Sequence, residues 1–193
     1  MAFTLWFTGL PAAGKSTVAR LVADALRARG ERVELLDGDE IRRHLSYGLG
    51  FSRADREENL RRIAYVADLL SRNHVHVITA AISPFRSARD ETRLRLGERF
   101  VEIFVNAPLE VCARRDPKGL YAKAFAGEIQ NFTGVSDPYE PPLNPELVLQ
   151  TGAESTQESA AKVLAYLDAA ALEPSLDRAL YRARSASGST SVP

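Results

Sequence analysis

The sequence predicts an α/β protein: a parallel five-stranded sheet with helices on both faces. Two observations carry this. Apolar runs of strand length alternate with helical patterns along the chain. The first run ends in a glycine-rich turn that opens directly into an amphipathic helix.

Each element follows from its residues. Phe3–Thr8 reads as the first strand. Ser16–Arg29 reads as a helix with Val18, Leu21, Val22, Ala25 and Leu26 on one stripe, and Gly30 is its natural stop. Val33–Leu36, Val75–Thr79 and Phe100–Val105 read as buried strands, and Leu147–Gln150 as a weaker fifth. Arg53–Arg72 reads as a helix capped by Ser52 and Asp55, with Leu60, Ile63, Ala67 and Leu70 on its buried stripe. Thr156–Leu172 reads as the last helix, with Ala160, Val163, Leu164, Leu167 and Ala171 inward. The segment Asp116–Asn144 is rich in Gly, Pro and charge and lacks a core stripe. It reads as a lid over the active face. Residues 1–172 then form one domain. Residues 173–193 form a C-terminal extension whose serine-rich end is expected to be disordered.

A chain of 193 residues suits one domain with a full core. The net charge of zero argues against nucleic acid or a membrane surface as partner. The single cysteine, Cys112, excludes an intrachain disulfide and reads as an inert thiol. No apolar run is long enough to cross a bilayer, no signal peptide is visible, and the cytoplasm is the expected compartment. His44, His74 and His76 lack metal-ligand spacing.

The chemistry begins at Gly9-Leu10-Pro11-Ala12-Ala13-Gly14-Lys15-Ser16, followed by Thr17. It fits the GxxxxGK[ST] phosphate loop between a strand and a helix. Its backbone N–H groups would cradle ATP phosphates at the positive end of the helix dipole. Lys15 would reach the β- and γ-phosphates, and the Ser16 hydroxyl would bind Mg²⁺. No Asn-Lys-x-Asp base-reading motif is present, so a metabolite kinase is favoured over a GTPase.

A second polar cluster follows the next strand. Asp37-Gly38-Asp39 stands at a carboxyl end, where open α/β sheets bind ligands. One aspartate could orient Mg²⁺ through water and the other accept the proton of an attacking hydroxyl; alternatively the motif is a turn with a helix N-cap. Arg56 and Asn59 fall on the buried stripe of their helix, one turn before Leu60 and Ile63. With Arg42 they could receive an anion, or Arg56 could pair with Asp37 or Asp39. Ser83 reads as an N-cap, with Pro84 in the first turn of the following helix. Phe51 and Phe132 are either loop anchors or platforms for a purine.

Taken in order, these segments resemble the adenosine 5′-phosphosulfate (APS) kinase family of P-loop kinases. The resemblance is carried by Asp37–Arg42 (Asp-Gly-Asp-x-x-Arg), Leu49-Gly50-Phe51-Ser52 and Asp55–Asn59 followed by Arg61-Arg62-Ile63. It continues through Ile82-Ser83-Pro84, Asp116–Tyr121, Phe132-Thr133-Gly134, Asp137–Glu140 and Asn144-Pro145-Glu146. It implies transfer of the ATP γ-phosphate to the 3′-hydroxyl of APS, giving 3′-phosphoadenosine 5′-phosphosulfate (PAPS) and ADP, with Mg²⁺, in a P-loop kinase fold that is commonly a homodimer. It implies that Asp39 lies near the 3′-hydroxyl and that Arg42, Arg56 and Asn59 hold the phosphosulfate and ribose. It further implies that Phe51 and Phe132 sandwich the adenine, that Ile82 and Ser83 contact the nucleotide through backbone, and that Lys118 and Lys123 are lid lysines near the transferred phosphate. The family serine matching Ser83 is described as a phosphoserine intermediate; direct in-line transfer needs no such relay. The chain departs from the family at Pro11-Ala12, where Ser-Gly is usual, at Glu40, and at Gln130-Asn131 before Phe132. Pro11 has no N–H, so the cradle loses one donor there.

Overall fold

The computed structural model describes residues 2–172. In chain order they form β1 (Thr4–Thr8), α1 (Lys15–Ala28), β2 (Val33–Asp37), α2 (Gly38–His44), α3 (Arg53–Arg72) and β3 (His76–Ala80). There follow α4 (Arg86–Leu96), β4 (Phe100–Val105), α5 (Leu109–Arg115), α6 (Leu120–Phe125), β5 (Leu147–Leu149) and α7 (Thr156–Leu172). The five strands make one sheet in the order β2-β3-β1-β4-β5. Every pairing is parallel, as expected.

β1 is buried along its whole length, and its side chains alternate between two cores. Leu5 and Phe7 join Val18, Val22 and Leu26 of α1 and Val163 of α7 on one face. Trp6 joins Ile63 and Ala67 of α3 and Ala88 and Leu96 of α4 on the other. Helices therefore cover both faces, and the carboxyl ends of β1, β2 and β3 open on one rim. α1 stops where expected: Gly30 takes φ +82° and its N–H returns to the Arg27 carbonyl.

Two expectations change. The segment 116–144 does contribute to the core: Tyr121, Ala124 and Phe132 are buried with the α1 face. Tyr121 and Ala124 lie one turn apart on α6, which is too short to show a stripe, and Phe132 joins them from the loop beyond. Ser83 and Pro84 do not start α4, which begins at Arg86 after Phe85. The Pro84 carbonyl is bound by the Glu140 N–H (2.8 Å), and the Glu140 carboxylate caps the Arg86 N–H (2.8 Å). A distant residue supplies the cap, so Ser83 is released from that task. The side chain of Ala171 and the expected C-terminal extension lie outside the described residues.

Candidate active site

The phosphate loop leaves β1 and enters α1 at Lys15. A Cβ on Gly9 would sit 2.4 Å from the Val105 carbonyl oxygen, so only glycine fits where the loop crosses β4. Lys15 folds back over the loop; its Nζ donates to the carbonyls of Gly9 (2.9 Å) and Leu10 (2.7 Å). Burial pulls its pKa down to about 8, against the opposing pull of Asp37 and Asp39. Ala12 holds φ +57°, a left-handed backbone that costs an L-residue roughly 1–2 kcal/mol. The loop is braced from outside. Thr151 Oγ1 (2.7 Å) and Arg115 (3.4 Å) donate to the Ala13 carbonyl, and the Tyr121 hydroxyl donates to the Pro11 carbonyl (3.0 Å). Pro11 thus lacks a donor but keeps an anchored acceptor. Nothing in the spacing of the chain marks Arg115, Tyr121 or Thr151 for this role. Ser16 is half-buried and Thr17 exposed at the start of α1.

Asp37 is the N-cap of α2, as its turn chemistry allowed: Oδ1 accepts from the Asp39 N–H at 3.0 Å. Its other oxygen, Oδ2, is buried without a hydrogen bond, with Arg20 at 3.7 Å. Asp39 is exposed and ion-paired with Lys118 of the segment before α6. Both partners are more than half exposed, so this pair contributes little and opens readily. Lys123 is exposed on α6.

Ser52 caps α3 through Asp55 as expected (3.2 Å from the Asp55 N–H). Arg56 and Asn59 are buried at its start. Arg56 pairs with neither Asp37 nor Asp39, the alternative to its receiving an anion. Its Nε donates to the Phe51 carbonyl (2.9 Å), its other nitrogens to Thr133 Oγ1 and the Asn131 carbonyl, and Asp137 lies at 3.6 Å. The reason is topological: residues 131–137 pass over the start of α3 and reach the guanidinium first. Asn59 Oδ1 is buried without a partner. Arg42 donates to the Gly50 carbonyl (2.8 Å) and stacks over Phe51 at 4.5 Å. Phe51 is 61% exposed, whereas Phe132 is 9% exposed and packed edge-on against Tyr121 at 4.9 Å. In this state Phe132 is a loop anchor and Phe51 an open platform.

Ser83 is buried with φ +47°. Its hydroxyl accepts from Trp6 Nε1 (3.0 Å), and its carbonyl accepts from Arg89 (2.5 Å) and more distantly from Thr8 Oγ1 (3.4 Å). The Ile82 carbonyl accepts from Thr8 Oγ1 (2.8 Å) and from the Gly9 N–H (3.4 Å), joining this loop to the phosphate loop. Arg89 is not among the residues that the motifs of the chain single out. A signal existed: Arg89 lies beside Ala88 and Thr92 on the buried stripe of α4, the same pattern that exposed Arg56. An open groove of about 500 Å³, lined by Leu10, Gly134, Asp137 and Tyr139 among others, separates the phosphate loop from residues 134–139.

A phosphate loop at the carboxyl rim of a parallel sheet, faced by carboxylates and buried arginines, defines a P-loop phosphotransferase. The particular family follows from comparison with known proteins. The model of the family described as adenylylsulphate kinase matches residues 1–150. The adenylyl-sulfate kinase of Halothermothrix orenii is 57% identical over 165 residues, which is 86% of this chain and 89% of that one. The structure of the Mycobacterium tuberculosis APS kinase CysC in complex with AMPPNP and APS is similar at 47% identity and TM-score 0.83, covering 86% of this chain and 98% of that one. The hexameric APS kinase from Thiobacillus denitrificans is similar at 37% identity and TM-score 0.67, covering 87% of this chain and 29% of that one. The chain belongs to the adenylylsulphate kinase family and is an ATP-dependent kinase.

Proposed function

We propose that the chain transfers the γ-phosphoryl group of Mg²⁺-ATP to the 3′-hydroxyl of APS, giving PAPS and ADP. The observation that carries this reading is one rim. The phosphate loop is faced there by Asp39, by Arg42 stacked on Phe51, and by the buried pair Arg56 and Asn59, in a chain of the adenylylsulphate kinase family.

In this reading Gly9–Thr17 holds the ATP phosphates through backbone N–H groups, and Lys15 leaves its own loop carbonyls for the β- and γ-phosphates. Asp39 takes or steers the proton of the 3′-hydroxyl once Lys118 releases it, and Lys118 then turns to the transferred phosphate, with Lys123 beside it. Phe51 stacks on the adenine, with Phe132 forming the opposite wall. Arg42, Arg56 and Asn59 hold the phosphosulfate and ribose, and the backbone of Ile82 and Ser83 meets the nucleotide. Segment 116–144 serves as lid, and residues 1–172 as the kinase domain.

The residues fit a Mg²⁺ ion brought with ATP. Asp37 Oδ2 is a buried oxygen without a hydrogen bond, and the Ser16 hydroxyl stands at the helix start beside Lys15. Ser16 would ligate the ion and Asp37 would orient its water. Bound there, Mg²⁺ would neutralise charge developing between the β- and γ-phosphates. The family resemblance supports a homodimer, and Tyr65, Leu69 and Leu94, exposed apolar residues of α3 and α4, supply surface for self-association. No helix among the described residues is long and apolar enough to cross a membrane, and the cytoplasm is the proposed compartment.

A coupled assay of ADP release with APS, gluconate and shikimate as separate acceptors tests the reading. ADP release should depend on APS and be absent with the other two. Release driven by gluconate or shikimate but not by APS would overturn it.

A further inference from the structure

We infer that Arg89 is a positioning residue for the acceptor, and that it acts by tying together the two loops between which APS binds. The inference rests on the proposed function above. Arg89 is 2% exposed. Each edge of its guanidinium is committed. Nε donates to Glu102 Oε1 (2.7 Å), one terminal nitrogen to the Ser83 carbonyl (2.5 Å), and the other to the Glu140 carbonyl (2.7 Å). Glu102 is itself fixed, because its second oxygen accepts from Arg93 (3.2 Å) and Arg93 grips both oxygens of Glu146.

The geometry selects what this fork can do. Ser83 and Glu140 belong to different loops at the same rim. The first follows β3; the second ends the strap 131–140 that Arg56 holds at its other end through Thr133, Asn131 and Asp137. Arg89 sets the distance between them. Ser83 needs such support: a non-glycine residue at φ +47° persists only when its surroundings hold it. Arg89 and Thr8 hold its carbonyl, and Trp6 holds its hydroxyl. A planar guanidinium satisfies a carboxylate and two carbonyls at once. A lysine ammonium on a flexible stem keeps the charge toward Glu102 but loses the fixed fork. A loop misplaced by about 1 Å can cost a reaction up to roughly 100-fold.

The test is steady-state kinetics with thermal unfolding for Arg89→Lys, beside Arg93→Lys as control. Arg93 shares Glu102 but bonds neither loop carbonyl. Arg89→Lys should raise KM for APS about tenfold or more while KM for ATP and kcat at saturating APS stay within about threefold. Arg93→Lys should lower the unfolding temperature without moving KM for APS. Thr8→Val removes, at nearly constant volume, the hydroxyl that bonds the Ile82 and Ser83 carbonyls and the Tyr139 hydroxyl of the strap. It should show the same split, and it carries the test if Arg89→Lys does not fold. A normal KM for APS in a folded Arg89→Lys enzyme, or an equal rise in Arg93→Lys, would overturn the inference. So would a normal KM in Thr8→Val when Arg89→Lys is unfolded. No APS-dependent turnover in the unsubstituted enzyme would remove the underlying reading, and the inference with it.

Discussion

The donor side and the acceptor side of the crevice are built by opposite means. The phosphate loop closes on itself within a few residues: Lys15 bonds the carbonyls of Gly9 and Leu10. The acceptor side is assembled from distant parts. Arg56 meets residues 131–137, Lys118 meets Asp39, and Arg89 gathers Ser83, Glu102 and Glu140. The phosphate loop takes its curl from its own glycines and the helix behind it, and Arg115, Tyr121 and Thr151 brace its outer side. A distributed site needs buried charges whose partners come from elsewhere, and each buried charge fixes one loop against another. The donor side is therefore carried largely by one short motif, while the acceptor side is as well placed as its arginines hold it.

The sharpest break in that comparison lies where the two sides meet. Asp39→Asn keeps size and removes charge. It should lower kcat by about 10²–10⁴ while ATP still binds, because general-base help has that scale. Turnover within a few-fold of normal would show that Asp39 only anchors Lys118.

On the donor side, Lys15→Ala should lower kcat/KM by roughly 10²–10³, the scale of one lost transition-state contact. Near-normal turnover would break the phosphate-loop assignment. Lys15 also gives the donor side a pH signature. Burial holds its free-enzyme pKa near 8, and a bound polyphosphate favours the charged form and raises that value. ATP binding above pH 8 should therefore take up a large fraction of a proton, and affinity should fall as pH rises through that value. Calorimetry at pH 8.5 in buffers of different ionisation heat reads the uptake, which Lys15→Ala should abolish. The stability effect has the same origin. Folded Lys15 releases its proton before unfolded lysine does, so its burial penalty fades as pH rises from about 8 toward 10.5.

On the acceptor side, Phe51→Ala should weaken APS binding by about 1–3 kcal/mol with little change in stability, since the ring is exposed. Phe132→Ala should weaken binding and also lower the unfolding temperature, since its ring is packed on Tyr121. Equal stability losses would erase the distinction between platform and anchor. The smallest effect is expected at Ser83. Ser83→Ala leaves Trp6 Nε1 without its acceptor and should cost about 1–3 kcal/mol of stability with substantial turnover remaining.

The same contrast explains what the sequence made legible. The phosphate loop, the parallel sheet, the Ser52 cap and the inward Arg56 and Asn59 all rest on short-range spacing or periodicity, and the structure places them as read. The Thr133 and Asn131 partners of Arg56, the Trp6 bond to Ser83 and the cap of α4 rest on contacts 50 to 80 positions apart, as Glu140 to Arg86 (54) and Arg56 to Thr133 (77) illustrate. Spacing along one helix reports that a charge is buried, not what meets it. Ser83 followed by proline matched a cap at the level of local chemistry, and only the return of Glu140 shows why it is not one. The short helices α2, α5 and α6 carry too few turns for a periodic stripe to form.

We propose that the phosphoryl group passes directly from the donor side to the acceptor side, with Ser83 serving as a held backbone element. The stereochemistry at a chirally labelled γ-phosphorus tests it most directly. One in-line displacement inverts the configuration, and inversion is the result predicted. Retention would require two displacements through an enzyme-bound phosphate, and would overturn direct transfer by giving Ser83 a covalent role.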